Sequence, residues 1–476
     1  MQPTSFSSTE NSVKQWLATA CLMLGAFMNI LDATIVNLAL PAIRDDLAAS
    51  PSALQWVLVV YVLTFAAGLL PFGRFGDVYG RKRVFVLGLT GFLVTSLAAG
   101  AAPDVATLIF VRAAQGLTAA AMVPQVLAII HGLFEAEERG KAIGYFGMIS
   151  ALGAIAGPVI GGVVISADIF GLGWRAIFLI NLPVGLLALI GALVFLPSNE
   201  DGAKGQADLI GAALFALCVA SFVYPLIEGR NFGWPIWLMA FPITSILFAL
   251  AFWQRQNALQ IARQTQTLPT SLIRDGGYTA GVAMVMFLIS GMAGTMVALA
   301  IFLQSGLGLT PAEAGLAIAP HPIAAMVASM ISGRLGARRL RLRVFIGTLI
   351  LLLGMIWLRL ACNVVETGSD ILLPLLLVGT GGGTAFVALF QITLAHVSGP
   401  DAGAGSGALQ TFQQVGIALG VALVGQLFFT RLGAASDPDS YRAAMAIALL
   451  YPVLGFGVLS IFTLRNITNG KKAHET

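Results

Sequence analysis

The chain is short of charge and of cysteine. Only 10% of its 476 residues are Asp, Glu, Lys or Arg, whereas soluble domains carry about 25%. With 58% hydrophobic residues and a mean hydropathy of +0.89, this composition excludes an ordinary soluble domain. Its cysteines, Cys21, Cys218 and Cys362, lie far apart in apolar runs. They therefore indicate neither a metal site nor a disulfide framework.

A phosphate-binding loop is also missing. No GxxxxGK[ST] sequence occurs, and the glycine-rich run at 379–386 lies inside an apolar helical stretch. We therefore expect no cofactor and no ATP hydrolysis. Because no nucleophile–base pairing or metal-ligand spacing appears, we do not expect an enzyme. The net charge of +4 reflects membrane topology, so we expect no nucleic-acid partner.

What is present is a series of apolar runs, each near the 20 residues that a spanning helix needs. They cover approximately 15–40, 54–73, 83–101, 104–130, 141–165, 175–196, 208–227, 234–253, 277–303, 312–333, 343–362, 371–396, 405–430 and 442–464. Lipid leaves backbone groups without partners outside a helix or a closed barrel, and these runs lack the alternation of barrel strands. The sequence therefore predicts an all-α membrane protein with fourteen transmembrane helices.

Lysine and arginine are unequally distributed between the two sides of this arrangement. An N-terminus in the cytoplasm places 19 of the 26 basic residues on the cytoplasmic side and five on the other. Because cytoplasmic loops carry the excess of basic residues, we expect both termini in the cytoplasm.

An internal repeat divides the chain. GRFGDVYGRKR begins at Gly73 after helix 2, and GRLGARRLRLR begins at Gly333 after helix 10. The same offset separates the first span from the ninth. We predict an N-terminal six-helix half at 1–200, a C-terminal six-helix half at 276–476, and an inserted hairpin of helices 7 and 8 with linkers at 201–275. Such duplicated halves are typical of alternating-access transporters. For the hairpin, the hypothesis is a spacer beside the halves.

The first span contains MNILDATIVNLALP, with Asp32 inside it. A carboxylate at the bilayer centre costs roughly 2.5–3.5 kcal/mol on insertion scales, so it is expected to face a partner or a wet cavity. Arg112 of helix 4 lies at a matched depth, because both residues are about 12–13 Å from the predicted outer ends of their helices. We predict that the two pair or share a cavity. A static structural salt bridge is the alternative.

Two glycine-containing stretches are candidate functional elements. In Gly73–Arg83, Gly73 and Gly80 permit a tight turn, and Asp77 can accept from an arginine such as Arg81 or from a helix amide end. We interpret it as a gating loop that latches the halves; the alternative is a plain basic loop. Helix 5 carries GMISALGAIAGPVIGG, whose composition by itself indicates close helix packing. Its candidate residues are Gly153, Gly157, Pro158, Gly161 and Gly162.

The second half offers weaker signals. His321 lies between two prolines in helix 10, where it either titrates during transport or satisfies carbonyls freed by a broken helix. We also select polar and aromatic residues of the spans as candidates for the substrate cavity. They are Asn29, Gln55, Tyr61, Gln115, Phe412 and Gln413.

Four stretches resemble signatures of the fourteen-helix drug:proton antiporter group of the major facilitator superfamily. They are LDATIVNLALP, GRFGDVYGRKR, RAAQGLTAAAMVPQ and ALGAIAGPVIGG. The resemblance implies that Asp32 and Arg112 take part in proton coupling, Asp77 in gating, and Gly157 with Pro158 in the interface that sets antiport. Some members of the group that export divalent organic cations carry an extra acidic residue in the second half. No Asp or Glu lies deep in helices 9–14 here, so the resemblance argues against dicationic substrates.

The resulting hypothesis is a proton-coupled antiporter of a bacterial cytoplasmic (inner) membrane. It would export lipophilic neutral or monocationic compounds by alternating access. Its partners would be that small substrate, protons and the bilayer; a periplasmic adaptor is left open. Two alternatives also stay open: a proton-coupled transporter for one metabolite on the same fold, and a non-transporting membrane sensor or assembly subunit.

Overall fold

A computed structural model describes residues 8–197 and 208–472, except 263, 265, 337, 398–401, 434 and 436. Across this part of the chain the secondary structure is helical, without strands. Most of the predicted linker between helices 6 and 7 lies outside the described residues, as does Ala337 of the second glycine–arginine stretch.

Fourteen helices of the described chain are long and apolar enough to cross a membrane, which confirms the predicted number. They are α1 (Val13–Leu47), α2 (Pro51–Tyr79), α3 (Arg81–Gly100), α4 (Val105–Leu133), α5 (Met148–Ser166), α6 (Gly173–Phe195), α7 (Leu209–Phe232), α8 (Ile236–Ile261), α9 (Gly276–Gly306), α10 (Pro311–Arg334), α11 (Leu340–Ala361), α12 (Gly368–Leu394), α13 (Gly405–Leu432) and α14 (Pro438–Arg465). The spans α1 and α5 belong to longer helices that begin at Ser8 and Ala136.

The helices pack in two groups with the same internal pairing. In the N-bundle, α1–α6, helix α4 packs on α2 and α3, and α1 packs on α5 and α6. In the C-bundle, α9–α14, helix α12 packs on α10 and α11, and α9 packs on α13 and α14. Each pair in the second group corresponds to a pair in the first.

The bundles meet along α2 with α13 and along α5 with α10. We call the end where α1 begins and α14 ends the terminal face, and the opposite end the far face. At the far face, Gln304 Nε2 donates to the carbonyl of Leu38 at 3.1 Å, and the backbone N–H of Ala312 donates to Ser166 Oγ at 3.1 Å. These contacts hold the bundles together there.

Two local predictions were wrong. Helix α1 does not end at Pro41 but continues to Leu47. The predicted gating loop is mostly helical, because α2 runs to Tyr79 and α3 begins at Arg81. Gly80 alone makes the turn, with a φ of 95° that glycine adopts without strain.

Helix α10 is interrupted near its prolines. It consists of Pro311–Ile318 and Pro320–Arg334, with Ala319 between them. A capping box closes its start, because Thr310 Oγ1 accepts from the Glu313 N–H and Glu313 accepts from the Thr310 N–H. His321 therefore lies in the first turn of the second segment.

The hairpin α7–α8 lies beside the junction of the two bundles. Helix α7 packs on α2 and α13, whereas α8 packs mainly on α7. Near the far face, Trp56 Nε1 of α2 donates to Glu228 at 2.8 Å, and Asn231 donates to Ser52 at 2.6 Å. The hairpin is thus joined to the N-bundle by hydrogen bonds and contacts the C-bundle through α13.

Candidate functional site

A buried polar network surrounds Asp32 inside the N-bundle. Asp32 lies on α1, and Arg112 and Gln115 lie one turn apart on the facing side of α4. Arg112 Nη1 donates to Asp32 Oδ2 at 2.5 Å and to Gln115 Oε1 at 2.7 Å. Asp32 and Arg112 have 0% and 1% of their surface exposed. The structure therefore brings the two predicted charges into a direct ion pair without solvent.

The second carboxylate oxygen is held by amides from two other helices. Gln115 Nε2 and Asn181 Nδ2 each donate to Asp32 Oδ1 at 3.1 Å. Both amides also donate to Ser96 Oγ of α3, at 2.9 Å and 3.3 Å. Residues of α1, α3, α4 and α6 thus surround one carboxylate, and its two oxygens accept three hydrogen bonds. Hydrogen bonds to a charged group are stronger than those between neutral groups, so these three fix the position of the carboxylate between the helices.

Arg112 has further partners that fix the guanidinium. Its Nε donates to the carbonyl of Val57 at 3.2 Å, and its carbon lies 4.2 Å from the centre of the Tyr61 ring. Tyr61 in turn accepts a 2.7 Å hydrogen bond from Asn29 Nδ2. A cation over an aromatic face is stabilised when desolvated, so Val57 and Tyr61 hold the guanidinium against α2.

The chemistry that this arrangement permits is reversible protonation of one carboxylate. While Asp32 is ionised, the pair is neutral and its desolvation cost is offset by attraction and hydrogen bonds. Protonation would leave the guanidinium as an uncompensated charge in a dry interior. Because such a charge is costly, protonation would favour a packing that admits water or another anion.

Two residues of the site, Ser96 and Asn181, were not predicted from the sequence. Both are buried, with 0% and 1% of their surface exposed. The available signal was a polar residue inside an apolar span, as in FLINLPVG around Asn181. Serine is common in membrane helices, so Ser96 had no comparable signal. What assigns both residues to the site is the packing of α3 and α6 against α1.

The predicted gating residues form contacts inside the N-bundle. Asp77 accepts from Arg81 at 3.1 Å and lies 3.6 Å from Arg74. Arg81 Nη1 also donates to the carbonyl of Ala128 on α4 at 2.7 Å. Gly73 lies on α2 against Pro124 of α4. These residues therefore connect the ends of α2, α3 and α4 at the terminal face, and gating stays a prediction.

The glycine motif of α5 faces two helices. Gly153, Gly157 and Gly161 lie against Ile30, Thr34 and Ile35 of α1. An added Cβ would collide at Gly157 and Gly161 and would be crowded at Gly153. Gly162 faces the backbone of Pro311, and the carbonyl of Pro158 faces Gly315, so both lie against α10 of the other bundle. The motif therefore sets close approach both within the N-bundle and between bundles.

The remaining candidates are dispersed. Gln55 is buried beside Gly425 of α13, in the junction of the bundles. Phe412 packs edge-on against Phe215 of the hairpin at 5.7 Å. Gln413 is half-buried on α13. His321 Nε2 is buried without a hydrogen-bond partner among the described residues. Their roles in a substrate cavity or in proton coupling stay predictions.

Two membrane-spanning helical bundles with matching pairings, one of which encloses a buried charge pair, are the architecture of a membrane transporter. A model of the Major Facilitator Superfamily matches residues 22–421, and the chain belongs to that family. It is 35% identical over 443 residues to a probable actinorhodin transporter of Streptomyces coelicolor, covering 91% of this chain and 77% of that one. It is 32% identical over 438 residues to the multidrug resistance protein Stp of Mycobacterium tuberculosis, covering 90% and 79%. The family and these relatives are transporters, not enzymes.

Solved structures support the fold. The chain superposes on a bacterial homologue of the human lysosomal transporter Spinster, in an inward-facing and unoccupied conformation, with a TM-score of 0.68. The match covers 97% of this chain and 99% of that one at 18% identity. The protein is thus a multi-pass membrane protein with the fold of this superfamily.

Proposed function

We propose that the protein is a proton-coupled antiporter that exports lipophilic neutral or monocationic compounds. The observation that carries the proposal is the fully buried ion pair of Asp32 and Arg112, held by hydrogen bonds from Gln115 of α4 and Asn181 of α6. A carboxylate in the membrane interior is costly, and a transporter retains one when its charge state is used.

In each cycle a proton arriving from outside would bind Asp32 or disturb its pairing with Arg112. The guanidinium would lose its counter-charge, and the balance between inward- and outward-open packings would shift. The hydrogen bonds at the far face, between Gln304 and Leu38 and between Ala312 and Ser166, are expected to break in the outward-open packing. The present packing would then correspond to a state closed at the far face.

The energy would come from the proton gradient. Moving one charge through 100 mV supplies about 2.3 kcal/mol, and a pH gradient adds to it. We place both termini in the cytoplasm of a bacterial cell with the protein in its inner membrane, since the basic residues concentrate at the terminal face. On this model the far face opens to the outside.

The named relatives support efflux and also favour a second candidate. One is named for multidrug resistance, which suits a broad range of lipophilic substrates. Another is named as a probable transporter of a single compound, actinorhodin. A transporter dedicated to one metabolite, using the same proton site, is therefore the second candidate. Breadth of substrate range separates the two.

The test is proton release from purified protein when lipophilic monocations and neutral drugs are added one at a time. Wild type is expected to release protons on substrate binding, and Asp32→Asn is expected to release none. Asp45→Asn is the matched control, because Asp45 lies on the same helix with 68% of its side chain exposed. It should release protons as wild type does.

Two results would contradict the proposal. Release that survives Asp32→Asn would place the coupling proton elsewhere, with His321 the next residue to substitute. Tight binding of compounds with no release in wild type would exclude proton coupling at this site altogether. A response to one compound in the whole panel would favour the single-metabolite transporter.

A further inference from the structure

An apolar cavity of about 400 Å³ lies between the hairpin and the C-bundle. Phe215 and Trp253 form its hairpin side, and Ala283, Met286 and Phe412 form the side of α9 and α13. Tyr278, in the first turn of α9, also contributes to the wall, so the cavity lies toward the terminal face. Its lining is almost entirely apolar.

The cavity lies where α8 makes few contacts with the bundles. Helix α8 is held mainly by α7. Only 11% of the residues in its most apolar 18-residue stretch are buried, the lowest share among the fourteen helices. Ala249 of α8 lines the cavity and is itself exposed. Apolar cavities stay dry, so at membrane depth this one is expected to hold hydrocarbon.

A cation lies at the edge of the cavity. The guanidinium carbon of Arg274 is 5.8 Å from the centre of the Trp253 ring, and the side chain is exposed. Among the described residues no carboxylate lies within ion-pair distance of Arg274. The adjacent Asp275 accepts from the Tyr278 N–H at 2.7 Å and pairs with His396 at 3.3 Å.

The neighbouring arginine behaves differently. Arg255 Nε donates to Asp208 at 2.6 Å, so its charge is balanced by protein. Arg274 instead combines a positive charge and an interfacial tryptophan beside an apolar cavity. Tryptophan is enriched at the headgroup level of membranes, and arginine pairs well with phosphate. This combination fits an amphipath with a long apolar chain and an anionic head.

We propose that the cavity binds one anionic phospholipid from the leaflet at the terminal face. An acyl chain would fill the space between α8, α9 and α13, and the phosphate would lie on Arg274. The lipid would then connect the hairpin to the C-bundle where protein contacts are few. This site is independent of proton coupling at Asp32, and either can fail alone.

Native mass spectrometry of the purified full-length protein tests the site. The protein is equilibrated in micelles with equal amounts of phosphatidylglycerol and phosphatidylcholine, and retained lipid is counted. Wild type is expected to retain one phosphatidylglycerol preferentially. Arg274→Gln should reduce that preference about fivefold, the effect of one arginine near an anionic headgroup. Arg338→Gln is the control, since Arg338 is exposed on the same face in another loop.

Two further variants test the proposed position of the acyl chain. Ala283→Phe should fill the cavity and abolish retention of either lipid. Ala249→Phe, at the exposed wall, should do the same without disturbing a buried contact. Retention equal to wild type in both phenylalanine variants would overturn the location. An unchanged preference in Arg274→Gln would overturn the headgroup assignment. In a further arm, a neutral drug is added to the same micelles. If the protein retains the drug in place of phospholipid, the proposal is overturned in favour of a substrate vestibule.

Discussion

The side-chain amide of Asn181 donates to Asp32 Oδ1 at 3.1 Å, while its own carbonyl oxygen has no hydrogen-bond partner among the described residues. The polar contacts that orient this side chain are therefore those to Asp32 and to Ser96. Asn181 acts on the proposed reaction through Asp32 and is a positioning residue. Its effect should appear in the pH dependence of transport.

Asn181→Ala removes one donor to the ionised carboxylate of Asp32. A hydrogen bond to a charged group contributes about 1.5–3 kcal/mol, and 1.36 kcal/mol corresponds to one pH unit. We therefore expect the pH midpoint of drug–proton exchange in vesicles to rise by about one unit. Asn363→Ala, at an exposed position, should leave the profile unchanged. An unshifted midpoint with lower rates at every pH would indicate a purely structural role.

The pairing of Asp32 with Arg112 could be predicted because both charges lie in long apolar runs, where isolated charges are rare. The number of helices could also be predicted, because each spanning helix is an apolar run bounded by polar residues. The contributions of Ser96 and Asn181 could not be predicted, because they depend on how α3 and α6 rotate toward α1. That rotation is set by packing contacts such as Gly185 against Leu93 and Met28.

At the turn after α2, the sequence predicted a longer loop than the structure contains. Arginines, lysines and glycines in Gly73–Arg83 suggested a loop, since such residues usually mark one. In the structure only Gly80 leaves helical geometry, because one residue with φ of 95° is enough to reverse the chain. Composition indicated the position of the turn but overestimated its length.

A second prediction concerns the energetic coupling of the buried pair. Arg112→Gln leaves Asp32 without its cation, and breaking a buried pair in this way costs about 3–5 kcal/mol. The double variant Asp32→Asn with Arg112→Gln removes both charges, so it should unfold at a higher temperature than Arg112→Gln alone. Thermal unfolding in detergent measures this. Equal or lower stability of the double variant would mean that the charges do not interact energetically.

The glycine motif gives a third prediction. A side chain at Gly162 would collide with the backbone of Pro311, across the contact between α5 and α10. Gly162→Val should therefore separate the bundles at the far face and abolish exchange while the protein remains folded. Gly457→Val is the matched control, since nothing lies within 4 Å of a Cβ at that position of α14. Normal exchange by Gly162→Val would show that close approach of α5 and α10 is dispensable.

A fourth prediction uses the hydrogen bond between the Ala312 N–H and Ser166 Oγ at 3.1 Å. Cysteines replacing both residues should form a disulfide across the bundles when oxidised, because their backbones are close at the far face. Transport should stop on oxidation and return with a reductant. Each single cysteine should stay active under both conditions. Full activity of the cross-linked protein would contradict a far face that opens during transport.

The last prediction concerns Asp208, at the start of the hairpin. Burial opposes its ionisation, but hydrogen bonds from Gly211 N–H, Arg255, Gln256 and Thr267 outweigh it and hold the pKa of Asp208 below its usual value. A carboxyl with a depressed folded-state pKa stabilises the protein above its unfolded pKa of about 3.9. That contribution is lost as the pH falls through the lower folded-state pKa.

Asp208→Asn should therefore lower the unfolding temperature by about 1–3 °C, and the difference from wild type should be constant between pH 5 and pH 8. The difference should shrink below about pH 4, where the Asp208 carboxyl of the unfolded chain begins to protonate while that of the folded protein is still ionised. Asp439→Asn is the control, because Asp439 forms an exposed pair with Arg442 and exposed pairs contribute little. A difference that appeared only near neutral pH would contradict this assignment, because it would require a titrating group other than Asp208.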